Sequence, residues 1–308
     1  MMDLKRHLPF AYPSDIGAQE SYYDIRLDSL SDEALRAKFV KSSSDEETEA
    51  FLQRCGQAGF CSTGVSKLLA GILVTFGCTR TSANGVVCRA EMFVLSQQQL
   101  LRLLAASGHP PIGQDATFLD IGAGDGAATS TAARALKIPA RRVFASEVSW
   151  SMRFRLRLKG FSPIADLQDA ALAASYDVVA CLNVIDRVDD PSALLEMLYQ
   201  RVKPEGVLVL AVVLPFCASV ERLGRYETAP TKPLLAMNGA CCRDKATLEA
   251  SLDRFATRVL PKAGFEVMCF TRVPYLCRGD LAVSCYALSD VVFLLKRLPT
   301  RLAAVAEK

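Results

Sequence analysis

Histidine is nearly missing from this chain: 308 residues contain only His7 and His109. That scarcity argues against a histidine-based zinc site and against Ser-His-Asp or Cys-His catalytic arrangements. The eleven cysteines include no C-x-x-C pair, are odd in number, and partly sit in apolar runs such as Val179-Ala180-Cys181-Leu182. A secreted disulfide framework is therefore not indicated, and reduced, mostly buried thiols are expected. No basic run of five or more occurs, and a net charge of +3 is too small to argue for nucleic acid. The first 25 residues hold Asp3, Lys5, Arg6 and two prolines, without the apolar core of a signal peptide. Leu68 to Cys78, the most apolar early stretch, is too short to cross a bilayer. These absences predict an intracellular, cytoplasmic monomer with no membrane span, no metal and no nucleic-acid partner.

What is present fits a globular α/β protein, with half the residues hydrophobic and about a fifth charged. Residues 1–25 read as a flexible arm, 26–107 as a helical extension, 108–298 as the main domain with an insertion at 215–246, and 299–308 as a tail. In the extension, Ser44-Asp45-Glu46-Glu47 fits a capping box with Ser44 as N-cap. A helix is expected from Ser66 to Phe76, and Ser96 should cap another through Leu104. From Thr117 onward strand and helix alternate, which argues for a parallel sheet with helices on both faces. The predicted strands are Thr117–Ile121, Arg142–Glu147, Gly160–Ile164, Asp177–Leu182 and Val207–Leu214. A helix over Thr247–Ala263 follows, then a closing pair at Phe265–Val273 and Val291–Leu295. The alternating cations Arg153, Arg155, Arg157 and Lys159 should form a solvated helix face. Pro215 to Asp244 breaks the periodicity, either as a substrate loop at the pocket mouth or as a surface excursion.

The chain is organised around Leu119-Asp120-Ile121-Gly122-Ala123-Gly124-Asp125-Gly126, where an apolar strand turns at three glycines into a helix-compatible run. Glycine permits positive φ and close approach of a ligand, and a helix N-terminus beyond it offers unpaired N–H groups. A tight turn with no ligand is the alternative. Dinucleotide sites use G-x-G-x-x-G, whereas the spacing here is G-x-G-x-G. Glu147, ending the second strand, is placed for ribose hydroxyls. The pattern resembles class I S-adenosylmethionine-dependent methyltransferases.

The fourth strand ends in Cys181-Leu182-Asn183-Val184-Ile185-Asp186-Arg187, and carboxyl ends of strands in such sheets face the ligand. Asn183 and Asp186 either meet the methyl acceptor or simply terminate a strand and cap a turn. Together with Ala145-Ser146-Glu147, Val212-Val213-Leu214-Pro215-Phe216 and Phe270-Thr271-Arg272-Val273-Pro274-Tyr275-Leu276-Cys277-Arg278-Gly279-Asp280, these residues look like the DREV, or methyltransferase-like protein 9, family. The similarity runs from about Leu27 to Lys296. The resemblance implies a seven-stranded, mostly parallel, Rossmann-like sheet and protein-histidine N-pros methylation in alternating-histidine (HxH) segments. It implies S-adenosyl-L-methionine held by Asp120, Gly122, Ala123, Gly124, Gly126, Glu147, Asp166 and Asn183. It further implies that Asn183, Asp186 and Tyr286 hold the target histidine. At Cys285 the family has a tyrosine, and the 215–246 stretch has diverged. A small imidazole compound or another acceptor, or a cofactor-binding relative without turnover, are the alternative readings.

Overall fold

The computed structural model describes residues 20–57, 91–164, 176–222, 225–241, 244–279 and 284–299. Its centre is an eight-stranded sheet in the order β1-β9-β10-β6-β5-β2-β3-β4. The strands are β1 (Met92–Phe93), β2 (Phe118–Ile121), β3 (Val143–Ser146), β4 (Ser162–Ile164) and β5 (Tyr176–Leu182). After β6 (Val202–Val213) comes a small separate pair, β7 (Val220–Arg222) and β8 (Arg225–Thr228), and then β9 (Phe265–Arg278) and β10 (Cys285–Arg297). β2 to β6 are mutually parallel, and β10 enters antiparallel between β6 and β9.

The sheet has eight strands rather than seven because the extension is not purely helical. Met92 and Phe93 pair with Cys277 and Leu276 on the outer edge of β9. Further along the same strand, Val40 donates to the Phe270 carbonyl and Phe270 to that of Lys38. The extension therefore covers an edge that would otherwise expose unpaired backbone groups.

Alternation along the strands builds two cores. Leu119, Val179, Cys181, Leu208 and Leu210 face one side, while Phe118, Val178, Ala180, Val207 and Val209 face the other, all at most 6% exposed. A parallel sheet needs both faces covered. The first face receives Leu194, Leu195 and Leu198 of the helix Pro191–Arg201, together with Leu252, Phe255 and Val259. The second receives Leu100 and Leu103 of Gln97–Ser107, Ala133 of Ala127–Ala135, and Phe51, Leu52 and Cys55 of Glu46–Gly56.

Caps explain several helix starts. Ser96 and Gln99 form a full capping box, and Asp190 caps a helix whose first residue is Pro191. In the extension, however, Asp45 rather than Ser44 is the N-cap and accepts from the Thr48 amide; Ser44 instead donates to Glu49. Asp45 also accepts from the Ser96 hydroxyl, so one carboxylate ties two helix starts together. The predicted helix at Ser66–Phe76 lies outside the described residues. The helix Trp150–Leu158 leaves Arg157 and Lys159 in solvent as expected, but its exposed face also carries Trp150, Phe154 and Leu158. Cys55, Cys181, Cys241, Cys269, Cys277 and Cys285 are free thiols. Cys217 is disulfide-bonded, against the expectation of reduced thiols throughout.

Candidate active site

β2 delivers the glycine corner at the carboxyl edge of the sheet. Gly122, Gly124 and Gly126 all have positive φ, at 70°, 55° and 77°. A Cβ on Gly122 would meet Val184 Cγ2 at 2.5 Å, and one on Gly126 would meet Leu156 Cδ2 at 2.7 Å. Nothing lies within 4 Å of the corresponding position at Gly124. Packing therefore excludes side chains at the first and third glycines, while the second opens onto free space.

The corner is fixed by backbone donors. The Gly122 and Ala123 amides both donate to the Ser146 carbonyl at 3.0 Å, which ties the turn to the end of β3. Glu147 accepts from Gly124 N at 2.9 Å through one oxygen and from Ser149 N at 2.8 Å through the other. The glycines and the acid singled out in the sequence are thus in direct contact. Each carboxylate oxygen still has a lone pair to offer a hydroxyl. Asp120, 2% exposed, accepts from the Thr129 hydroxyl at 2.6 Å and so anchors the first turn of the following helix to β2. Burial pushes its pKa up to about 7, against the opposing Thr129 hydrogen bond. Asp120 Oδ1 has no partner. Asp166 lies outside the described residues.

The loop after β5 lies against this corner, because Val184 fills the space beside Gly122. Asn183 adopts φ 57°, a left-handed conformation that asparagine tolerates better than most residues. Its backbone N–H donates to the Ala211 carbonyl at 3.0 Å, and its Nδ2 donates to Asp290 Oδ2 at 2.8 Å. Asp186, 3% exposed, lies 3.3 Å from the Arg187 Nε through Oδ2. Burial raises the Asp186 pKa to about 6, with the Arg187 charge opposing. Asn183 Oδ1, Asp186 Oδ1 and Asp290 Oδ1 are all buried without a donor. Leaving a buried acceptor unpaired costs about 1–3 kcal/mol, and these three lie on the loop after β5 and on β10, joined by the Asn183–Asp290 hydrogen bond and the Asp186–Asp290 charge interaction.

Two residues of this region went unassigned in the sequence. Asp290, fully buried on β10, opens an apolar run whose strand was expected to begin one residue later, at Val291. A carboxylate abutting Val-Val-Phe-Leu-Leu was the available signal. Tyr275 on β9 is 9% exposed, gives its hydroxyl to Met92 Sδ, and feels the charges of Asp290 and Arg187. Tyr286, chosen in the sequence, is half-buried on β10 opposite Cys277. It precedes Asp290 by four residues, roughly 13 Å along an extended strand. Tyr275 pairs with Leu288 and so lies nearer to Asp290.

The 215–246 stretch is bound to the same loop. Ser219 N donates to the Asp186 carbonyl at 2.8 Å, Thr231 N to Asp189 at 2.8 Å, and Lys232 Nζ pairs with Asp190 at 2.9 Å. The stretch is therefore tied to the loop after β5 at three points.

A glycine corner, an acid at the end of the next strand and a polar loop at the end of β5 sit together at the carboxyl edge of a Rossmann-like sheet of methyltransferase type. Residues 22–297 match the DREV methyltransferase family, and the chain belongs to it. Among solved structures, a chain in the complex between the Haloferax volcanii Trm112 methyltransferase activator and a methyltransferase is 25% identical, with a TM-score of 0.30. That match covers 35% of this chain and only half of the other. The Burkholderia thailandensis 1,6-didemethyltoxoflavin-N1-methyltransferase, solved with bound S-adenosylhomocysteine, is 18% identical over 63% of this chain and 77% of that one (TM-score 0.39). PH1948 of Pyrococcus horikoshii, described as an RNA methyltransferase, is 16% identical over 76% and 98% (TM-score 0.41). These structural likenesses are loose; the family match is what places the chain. Among the described residues, no helix is long and apolar enough to cross a membrane.

Proposed function

We propose that the chain is an S-adenosyl-L-methionine-dependent protein-histidine methyltransferase acting at N-pros in exposed HxH segments. The observation that carries the acceptor class is the pair of buried, donor-less oxygens on Asn183 and Asp186, with Asp290 behind them bonded to Asn183. An imidazole N–H, becoming an imidazolium as the bond forms, supplies the donor and the positive charge that such a site lacks.

The residues fit the cofactor. Gly124 leaves open space at the corner, and both Glu147 oxygens are held in place by backbone amides while keeping lone pairs for ribose hydroxyls. The glycine corner with Glu147 would hold the nucleoside, and Asp120 would act indirectly by anchoring the helix that follows. When bound, the cofactor supplies an electrophilic methyl group on sulfur.

The protein's contribution is orientation and charge. Neutral imidazole already carries one available lone pair, so no strong base is needed, only the correct tautomer in line with the methyl. Asp186 would accept the N-tau proton in a hydrogen bond, leaving N-pros free to attack, and would stabilise the developing positive charge. Asn183 Oδ1 would add a second acceptor, and Arg187 would hold the Asp186 carboxylate in place. Under this reading 108–298 is the catalytic domain and the 215–246 insertion borders the peptide. The extension, 26–107, covers the edge of β9.

Methyl transfer from labelled S-adenosyl-L-methionine to a His-Ala-His peptide, with fragmentation to locate the mark, tests the reading. Methylation at N-pros of one histidine is expected. Cofactor binding without transfer would move the assignment to another acceptor, with a small imidazole compound the next to try.

A further inference from the structure

Resting on that acceptor reading, a second inference concerns what lies behind Asn183. The two ends of a primary amide have almost the same shape, so a neighbour decides which end faces a site. Here Nδ2 donates to Asp290 Oδ2, which turns Oδ1 away from β10. An ionised carboxylate can only accept, whereas a protonated one can donate. In the protonated case the amide gains by reversing, with its oxygen on Asp290 and its NH₂ toward the acceptor. An NH₂ facing an imidazole N–H sets donor against donor.

We infer that Asp290 is a positioning residue: ionised, it points the Asn183 amide oxygen at the acceptor N–H, and protonated, it lets the amide turn and disables the site. Asp290 does not touch the acceptor in this scheme, and its effect passes wholly through Asn183.

The surroundings make the switch accessible. Facing Asp290 are Asp186 from the loop after β5, Tyr275 and Cys277 from β9, and the backbone at Val212 and Val291, while Arg187 acts on Asp186, Tyr275 and Cys277. Burial lifts the Asp290 pKa to about 8, opposed by the Asn183 hydrogen bond and reinforced by the Asp186 charge. Burial also raises Tyr275, and it raises Cys277 to about 12, so both stay neutral while Asp290 titrates. Because Asp186 ionises near 6, the two carboxylates load in sequence and their apparent values belong to the pair. Between about pH 6 and 8 the carboxyl pair holds one negative charge, on Asp186, and Asp290 is protonated. Above that range, the amide is locked.

The test measures kcat against pH on the His-Ala-His peptide for the wild type and Asp290→Asn, beside NMR of the asparagine side-chain NH₂ groups in the S-adenosylhomocysteine-bound protein. The substitution is isosteric, and an unchanged melting curve at pH 7 would show that the fold survives. In the wild type, kcat should rise about fivefold or more between pH 7 and 9. The Asn183 resonances should shift with the same midpoint. In Asp290→Asn both responses should vanish, with the KM for S-adenosyl-L-methionine within about twofold of wild type. A variant that keeps the rise in kcat, or Asn183 signals that do not move with pH, would overturn the inference. Wild-type signals that titrate without any methyl transfer would instead remove the histidine reading and leave the amide coupling standing.

Discussion

The two halves of the site are built in opposite ways. At the glycine corner the groups are mostly backbone and mostly satisfied: Gly122, Ala123, Gly124 and Ser149 amides all have acceptors within 3.0 Å. Beyond the end of β5 and on β10 the groups are side chains, deeply buried, and three oxygens have no donor. The contrast matches what each half would bind. A nucleoside presents hydroxyls and a rigid shape, so a preformed cradle serves it. A reacting nitrogen changes charge during the reaction, so its pocket gains most by being polar and incomplete until that charge develops.

Asp186→Ala should break the contrast most severely. Loss of at least about 100-fold in kcat is expected. S-adenosylhomocysteine affinity, measured by calorimetry, should change by less than about twofold; equal losses in both would mean that the halves are not separable. Glu147→Ala is the mirror experiment. It removes two hydrogen bonds from backbone amides to a charged acceptor, so affinity should fall about tenfold or more while kcat at saturating cofactor stays within a few-fold. Normal affinity in that variant would remove Glu147 from the cradle.

Gly122→Ala probes the seam between the halves. Its Cβ would press on Val184 while the backbone holds φ 70°, so a destabilisation of about 1–3 kcal/mol by urea titration is expected. Gly124→Ala shares the strained φ but meets no neighbour, and should cost less. If the order reverses, the free space beside Gly124 is not where the structure puts it.

The last comparison is of stability against pH. Asp120, Asp186 and Asp290 have pKa values raised to about 7, 6 and 8. Between pH 4 and 8 the folded protein therefore binds protons that the unfolded chain has released. For these groups stability falls as pH rises through that window. Asp177 and Glu249 are shifted downward, so their contributions are complete above about pH 4 and do not mask the trend. The urea midpoint should decline from pH 5 to 8.5, and less steeply in Asp290→Asn. Parallel slopes would show that Asp290 ionises freely in the fold.

Much of the corner was legible because glycine there answers a local demand, and local demands leave local patterns. The central strands were equally readable from their unbroken apolar runs. Asp290 was not, since its partner Asn183 stands 107 residues away and neither residue signals the other. Tyr286 came from the family resemblance, which has a tyrosine a few residues before the last strand, and its distance to the cluster is set by the β9–β10 register. The Asp45 cap was missed by one position, because Ser44, Asp45 and Thr48 all have side chains able to serve a helix start. The eighth strand escaped notice because Met92–Phe93 is too short to show a period and acquires its identity only from β9.

That last pairing has a consequence for synthesis. The Tyr275 hydroxyl bonds to Met92 across 183 residues, and the strand that receives the extension is among the last parts of the chain to be made. At roughly 5–20 residues per second, the early segment leaves the ribosome about ten to forty seconds before its sheet partner exists. The apolar faces of Phe51, Leu52 and Cys55 must stay shielded during that interval by local helix or by a chaperone. Truncation before β9 would strand the extension without an edge to join.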